Sequence, residues 1–337
     1  MAFELILPFF PEAIQALILD DTVTDLCING STAVFVERGG IIAPVEGVTV
    51  RAEQLNAAIE QIARVLGKDI TEQDPILDTR LPNGSRVAAV YPPCSPAGAT
   101  VTIRKFNHWF TSDQLVVMGS LPANVREIVV AAIGDRRNVL ISGGTGSGKS
   151  TMLNALIAHI PPNDRLVVIE KPMELEIRNP NAVRWEAVDA LPGRSPKTVA
   201  HLVAASLRHR PDRIIVGEVR DESAYDMLQA MNTGHSGSMT TTHADSAQLA
   251  LHRISDLALS AHPNLDHEFV RTQTADALHF VLQVSRHRNG ARGVTELVRV
   301  RGYDHRNHRF DIEHLYRAAA PGDANLLFSS ATSQARR

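Results

Sequence analysis

Gly143 to Ser150 is the segment whose residue types and spacing point most directly to chemistry. Its sequence, Gly-Gly-Thr-Gly-Ser-Gly-Lys-Ser, fits the phosphate-loop pattern G-x-x-x-x-G-K-[ST] at every fixed position. Glycines let backbone N–H groups turn toward phosphate oxygens, and the following helix adds the positive end of its dipole. We predict that Lys149 reaches the β- and γ-phosphates and that the Ser150 hydroxyl binds Mg²⁺. The predicted nucleotide-binding residues are Gly143, Gly144, Thr145, Gly146, Ser147, Gly148, Lys149, Ser150 and Thr151.

Two predicted strands are followed closely by glutamates. Leu166-Val-Val-Ile leads to Glu170, and Arg213-Ile-Ile-Val-Gly leads to Glu218. The carboxyl ends of parallel strands meet at the crevice beside a phosphate loop. There, carboxylates hold Mg²⁺ through water or orient the attacking water molecule. We predict that both glutamates are catalytic and that Glu218 also serves the metal; which of them is the general base stays open.

The segment from Thr233 to Ala244 has a β-branched centre and a histidine near each end, His235 and His243. A zinc pair is the alternative interpretation. Seven residues separate the histidines and no third ligand lies nearby in the sequence, which disfavours zinc.

The type of nucleotide follows from two absences in the sequence. A GTPase usually carries an Asn-Lys-x-Asp base reader, and an ABC-type ATPase carries Leu-Ser-Gly-Gly-Gln; neither pattern occurs in the chain. A small-molecule kinase is not excluded by motifs, but it would not explain the large segment that precedes the phosphate loop. We therefore expect ATP as the nucleotide.

The elements that position these residues predict two domains. Wholly apolar strands that alternate with helices after residue 122 indicate a parallel sheet covered on both faces. Before it, short β-rich runs, the turn at Asn29-Gly30 and a helical pattern from Arg51 to Leu66 indicate a small α+β domain. We place the amino-terminal α+β domain at residues 1–106, a linker at 107–122, the phosphate-loop domain at 123–317 and a flexible tail at 318–337.

Composition favours a cytoplasmic protein. The chain has 337 residues, a formal net charge of -3 and two cysteines. This charge argues against a protein that coats nucleic acid over its whole surface, but it leaves open a local basic groove. The amino terminus carries Glu4 and Glu12 and lacks the features of a signal peptide. We expect one apolar helical face that either packs on its own domain or docks on a membrane or partner, formed by Phe9, Phe10, Ile14, Leu17 and Ile18.

Taken together, these segments resemble the traffic ATPases of type II and type IV secretion systems. The likeness runs from about Asp20 to Arg301, and its most specific part is Leu207 to Asp221, which is similar to the Walker B region of that family. Thr233 to Ala244 resembles its histidine box, Val168 to Leu175 its aspartate box, and Thr102 to Phe106 a familiar amino-terminal segment.

The resemblance implies a RecA-like motor preceded by a smaller PAS-like domain, assembled as a homo-hexamer with ATP bound between the domains. It also implies arginines supplied by the amino-terminal domain and the neighbouring subunit, and Arg104 and Arg86 match those positions best. Their guanidinium groups would neutralise charge on the γ-phosphate. His243 would sense that phosphate or couple it to the subunit boundary.

Within the family, the absence of a four-cysteine zinc module and the compact amino-terminal region favour the type IV branch, most like conjugal-transfer (Trb-type) ATPases. The expected partners are components of a secretion or conjugation machine at the inner membrane. We expect the protein on the cytoplasmic face of that membrane, without direct sequence-specific binding of nucleic acid.

One residue departs from the family pattern. The aspartate box usually continues with Asp after Ile-Glu, but here Lys171 follows Glu170, so a local ion pair or a less negative site is expected. Lys171 keeps open the alternative of a nucleotide-gated docking module with weak hydrolysis. A pilus retraction motor and a motor acting directly on DNA are further alternatives.

Overall fold

The computed structural model of the protein describes residues 3–31, 33–82, 84–105, 110–190, 195–287 and 290–318. The chain divides into two compact units. Unit one contains Met1–His108 and Arg288–Ala291, and unit two contains Trp109–His287 and Arg292–Arg337. Apart from residue 318, the predicted tail lies outside the described residues.

In its described residues, unit one combines an antiparallel sheet with two α-helices and two short 3-10 helices, Phe3–Leu5 and Leu7–Phe9. Its elements in chain order are α1 (Glu12–Leu19), β1 (Val23–Asn29), β2 (Ala33–Arg38), β3 (Ile41–Pro44), α2 (Ala52–Val65), β4 (Ile76–Arg80), β5 (Arg86–Val90) and β6 (Thr100–Arg104). The strand order is β3-β2-β1-β6-β5-β4, and every neighbouring pair is antiparallel.

The core of unit one lies between the helices and one face of the sheet. Ile14 and Ile18 of α1 are buried there with Leu55, Ile59 and Ile62 of α2. The predicted helix from Arg51 to Leu66 is therefore confirmed within one residue at each end. The amino-terminal apolar face packs on its own unit, as the first of the two interpretations proposed.

Unit two alternates helices and strands. Its elements are α3 (Ser112–Val117), α4 (Ala123–Gly134), β7 (Val139–Ser142), α5 (Lys149–Ile157), β8 (Leu166–Glu170), β9 (Ala182–Glu186), α6 (Val199–Ser206), β10 (Arg213–Val216), α7 (Ser223–Asn232), β11 (Met239–Thr242), α8 (Ala247–Ala261), α9 (His267–Ala277), β12 (Phe280–Arg286), β13 (Arg292–Asp304) and β14 (Arg309–Arg317). Among the described residues, no helix has the length and apolar composition needed to cross a bilayer.

The sheet of unit two is mixed. Its order is β14-β13-β12-β7-β11-β10-β8-β9, with parallel pairing from β12 to β9 and antiparallel pairing of β13 with both of its neighbours. Every residue of β7, β8, β10 and β11 is buried. Helices therefore cover both faces, which explains the wholly apolar runs in the sequence. This architecture confirms the predicted α/β fold.

Because β7, β8, β10 and β11 run parallel, their carboxyl ends share one edge of the sheet. The phosphate loop, Glu170, Glu218 and His243 all stand at these ends. Segment 107–122, predicted as a linker, contains α3, whose Leu115 is buried in the core of unit two.

Candidate functional site

The phosphate loop connects β7 to α5, between Ser142 and Lys149. Gly148 has a φ of 95°, a left-handed conformation that favours glycine. A Cβ atom on Gly143 would lie 2.2 Å from the carbonyl oxygen of Val284, so no larger residue fits there. Close packing against β12 and a left-handed turn therefore account for two of the fixed glycines in the pattern.

Lys149 begins α5 and is buried beneath this loop. Its amine donates hydrogen bonds of 2.9 Å to the carbonyl oxygens of both Gly143 and Gly144 and lies 3.4 Å from Nδ1 of His243. Burial lowers the pKa of Lys149, and the negative charge of Glu218 partly opposes that shift. The amine is thus held inside the loop where phosphate oxygens would lie.

His243 and Glu218 are in contact across neighbouring strands. Nε2 of His243 lies 3.0 Å from Oε1 of Glu218, and Oε2 of Glu218 accepts a hydrogen bond of 3.1 Å from Arg220. Burial lowers the pKa of His243 despite the opposing carboxylate. The neutral imidazole can accept from Lys149 at Nδ1, while its Nε2 contacts Glu218 without the alignment of a hydrogen bond. Lys149, His243, Glu218 and Arg220 therefore form a continuous chain, which we call the polar chain.

Glu170 has a different environment from Glu218. Its side chain is 3% exposed, and Oε1 accepts hydrogen bonds of 2.6 Å and 2.9 Å from the backbone N–H groups of Glu174 and Leu175. Oε2 lies 3.4 Å from a guanidinium nitrogen of Arg184. Burial raises the pKa of Glu170, while the two backbone hydrogen bonds oppose the shift. The carboxylate thus fixes the turn that follows β8.

Lys171 does not enter the polar chain. Its amine pairs with the carboxylate of Asp189, and both side chains are largely exposed. This is the local ion pair that the sequence allowed. Its charge is balanced on the surface.

Arg104 and Arg86 belong to unit one. They occupy directly opposite positions on β6 and β5, so their side chains leave the same face of that sheet. Arg104 donates a hydrogen bond of 2.8 Å to Asp25 and is 58% exposed. Their predicted contact with the γ-phosphate stays a prediction.

Two residues that the sequence did not single out for a role hold the phosphate loop from β12 and β13. Gln283, which is buried, accepts a hydrogen bond from the Ser142 hydroxyl and donates one of 3.0 Å to the carbonyl of Ala244. Arg292 donates a hydrogen bond of 2.7 Å to the carbonyl of Gly146. Gln283 thereby joins the residue before the phosphate loop to the residue after His243. Arg220 and Arg184 also had no assigned role, and no spacing rule points to any of these four.

The site also fits a nucleotide with Mg²⁺. Ser147 Oγ and Glu218 Oε1 are buried, and no described residue makes an aligned hydrogen bond to either atom. Buried polar atoms of this kind need a partner: a bound phosphate would accept from the Ser147 hydroxyl, and a water molecule would donate to Glu218. No group of three or more histidine, cysteine or acidic side chains among the described residues could hold a metal ion by itself. Mg²⁺ held by the Ser150 hydroxyl would take its other ligands from phosphate oxygens and water.

A phosphate loop between a buried parallel strand and a helix, with Lys149, His243 and Glu218 converging at the same sheet edge, defines a P-loop protein of the α/β class. The chain belongs to the type II/IV secretion system protein family, whose profile matches residues 11–310. This confirms the family predicted from the sequence.

Individual relatives agree with this family. The conjugal transfer protein TrbB of Rhizobium radiobacter is 34% identical over 305 residues, covering 88% of this chain and 89% of the relative. The type IV secretion system protein PtlH of Bordetella pertussis is 31% identical over 306 residues, covering 82% of this chain and 90% of the relative. The structure of the Legionella pneumophila ATPase DotB matches with a TM-score of 0.61 at 24% identity, covering 86% and 81% of the two chains, and shares the fold.

Proposed function

We propose that this chain hydrolyses ATP as a homo-hexamer and thereby powers assembly of, or substrate transfer through, a bacterial type IV secretion or conjugation system. The observation that carries the proposal is the polar chain. It joins the phosphate-loop lysine, through His243, to the carboxylate of Glu218. Relatives named for conjugal transfer and type IV secretion supply the cellular context.

The roles of the residues follow from their contacts. On binding ATP, Lys149 would exchange the carbonyl oxygens of Gly143 and Gly144 for oxygens of the β- and γ-phosphates. The Ser150 hydroxyl would hold Mg²⁺, which supplies neutralising charge to the phosphates when bound. Glu218 would accept a hydrogen bond from the attacking water through Oε1, the oxygen left without an aligned donor among the described residues. Glu218 is therefore our choice of general base over Glu170.

His243 would connect the nucleotide to that base. As a neutral imidazole between Lys149 and Glu218, it responds to any movement of the lysine amine. Loss of the γ-phosphate would change the position of Lys149 and, through His243, that of Glu218. This is a physical route by which His243 could sense the γ-phosphate.

The assembly is part of the proposal. We assign unit two as a RecA-like motor and unit one as a PAS-like domain whose Arg104 and Arg86 complete a site in the ring. The ring would stand at the cytoplasmic face of the inner membrane and bind components of the secretion machine there.

The alternative of a docking module with weak hydrolysis rested on Lys171. Because Lys171 pairs with Asp189 at the surface, its charge does not reduce the negative charge of Glu218 by direct contact. The observation favours hydrolysis. A pilus retraction motor would use the same chemistry, and the relatives named for conjugal transfer favour the transfer system.

The proposal is tested by steady-state phosphate release from the purified chain with ATP and Mg²⁺, together with electron microscopy of the particles. We expect turnover and six-membered rings. ATP binding without phosphate release would instead support the docking module.

The arginines are tested by mixing subunits that carry Arg104→Ala with subunits that carry Lys149→Ala. If a neighbour supplies Arg104, some interfaces in mixed rings pair an intact Lys149 with an intact Arg104, and turnover recovers. No recovery in rings shown to be mixed would overturn supply by the neighbour.

A further inference from the structure

Two threonines of β11 hold the segment that carries Glu218. The hydroxyl of Thr241 donates a hydrogen bond of 2.8 Å to the carbonyl of Gly217, and that of Thr242 donates one of 3.0 Å to the carbonyl of Val219. The backbone N–H of Val219 also donates to the carbonyl of Thr241 at 2.8 Å. The carbonyls of Gly217 and Val219, the residues on either side of Glu218, thus both accept hydrogen bonds from side chains of one strand.

This arrangement begins where the regular pairing of β10 with β11 ends. The paired residues are Ile215 with Met239 and Val216 with Thr240, so the Glu218 segment lies beyond the described ladder. Consecutive side chains of a strand point to opposite faces of the sheet. Thr241 and Thr242 therefore hold the segment from both faces of the sheet. Their hydroxyls donate hydrogen bonds to two backbone carbonyls that lie beyond the regular pairing of β10 with β11.

We propose that Thr241 and Thr242 are positioning residues that set the carboxylate of Glu218 for water activation. His243 directly follows them, so β11 determines both sides of the 3.0 Å contact between His243 and Glu218. The inference rests on the proposed function, because it gives Glu218 its catalytic role. It adds a reason for hydroxyl-bearing residues at these two positions.

Packing alone would not require threonine at either position. Both side chains are buried, at 1% and 0% exposure for Thr241 and Thr242. Valine has nearly the same shape and would fill the same space, but it cannot donate a hydrogen bond. The functional difference between threonine and valine is therefore the hydroxyl that reaches the Glu218 segment.

The same strand offers a matched control in Thr240. It is buried at 2% exposure, and its hydroxyl contacts the carbonyl of Thr241 at 3.4 Å, within its own strand. Thr240→Val makes the same chemical change at the same depth, and it leaves the hydroxyl donors to the carbonyls of Gly217 and Val219 in place.

The experiment measures kcat and KM for ATP hydrolysis by the full chain, with thermal unfolding of each variant as a second readout. Thr241→Val and Thr242→Val should each lower kcat about tenfold and leave KM within about twofold, because they alter the reacting carboxylate and not nucleotide binding. Thr240→Val should stay within about twofold of the unmodified chain. Thr241→Ser and Thr242→Ser keep the hydroxyl and should retain most of kcat, although they leave a methyl-sized cavity.

The serine variants distinguish positioning from packing. If both serine variants lose kcat while both valine variants keep it, the threonines act through packing and the inference is overturned. Valine variants as active as Thr240→Val would overturn it as well. If the unmodified chain released no phosphate, the proposed function would fail first and the role of the threonines with it.

Discussion

The amine of Lys149 lies 3.4 Å from Nδ1 of His243, although the two residues are 94 positions apart in the sequence. The contact crosses from the phosphate loop after β7 to the end of the adjacent strand β11. Since His243 also lies 3.0 Å from Glu218, the state of the phosphate loop reaches the proposed general base through one imidazole. His243 therefore links the lysine that contacts phosphate, Lys149, to the carboxylate proposed to activate water, Glu218.

Lys149→Ala should abolish ATP turnover. It removes a buried amine beneath the loop that neutralises phosphate charge in the transition state. Phosphate release at saturating ATP measures the effect. Lys171→Ala is the matched control, because it removes an exposed lysine amine whose partner is Asp189. Turnover by Lys149→Ala close to that of the unmodified chain would contradict the motor interpretation.

The sequence predicts the site well where the signal is local. The loop from Gly143 to Ser150 and the apolar runs of β7 and β10 are short patterns that each determine their own structure. The contact between Ser142 and Gln283 spans 141 residues and depends on β12 pairing with β7. No local pattern encodes that pairing, so Gln283 could not be assigned a role beforehand.

The roles of the two glutamates show a second limit. Both stand at strand ends, and that position is all the sequence reveals. The structure shows that backbone N–H groups occupy one oxygen of Glu170, whereas Oε1 of Glu218 has no aligned donor among the described residues. The difference depends on the turn after β8, which residue type alone does not predict.

Glu218→Gln should lower kcat at least about a hundredfold while ATP binding changes little, because it removes a base that acts only in the chemical step. Glu170→Gln should affect kcat far less, since an amide oxygen can still accept from the N–H groups of Glu174 and Leu175.

Glu170→Ala removes that acceptor and should reduce the free energy of unfolding by about 1–3 kcal/mol. Single-turnover kinetics and urea unfolding separate the two effects. A larger loss of kcat in Glu170→Gln than in Glu218→Gln would reverse our assignment of the base.

The pKa of His243 gives the pH dependence a definite sign. Burial lowers this pKa in the folded protein below the value of about 6.5 for an unfolded histidine. Protons therefore favour the unfolded chain, and the stability contributed by His243 is fully present above about pH 6.5 and is lost as the pH falls toward the folded pKa. Protonation also removes the Nδ1 acceptor next to Lys149. Turnover should consequently fall on the acid side of pH 6.5.

The kcat profile between pH 5 and pH 8 measures this effect. In His243→Gln, kcat should be lower overall, and it should no longer fall as the pH drops below 6.5, because glutamine does not titrate in this range. This fall of kcat at low pH is called the acid limb of the profile. His267→Gln replaces an exposed histidine on α9 and should keep the limb unchanged. An identical acid limb in His243→Gln would assign the titration to another group.

At the opposite edge of the sheet from Glu218, Arg213 anchors the start of β10. Its side chain is 1% exposed and donates hydrogen bonds of 2.7 Å to Asp164 and to the carbonyl of Ile133. The other oxygen of Asp164 accepts a hydrogen bond of 2.7 Å from Arg136, which is 47% exposed. Removing one partner of a buried ion pair costs about 3–5 kcal/mol, whereas an exposed pair contributes up to about 1 kcal/mol. Arg213→Met should therefore destabilise the protein much more than Arg136→Met.

Urea unfolding of both variants tests this difference, since each removes a cation that pairs with the same carboxylate. We expect Arg213→Met to lower the free energy of unfolding by about 3–5 kcal/mol and Arg136→Met by about 1 kcal/mol or less. Adding Asp164→Leu to Arg213→Met removes the buried charge left behind and should recover part of the loss. Equal losses in the two single variants would show that burial does not set the strength of these pairs. Arg213 would then not be the residue that fixes β10, the strand that leads to Glu218.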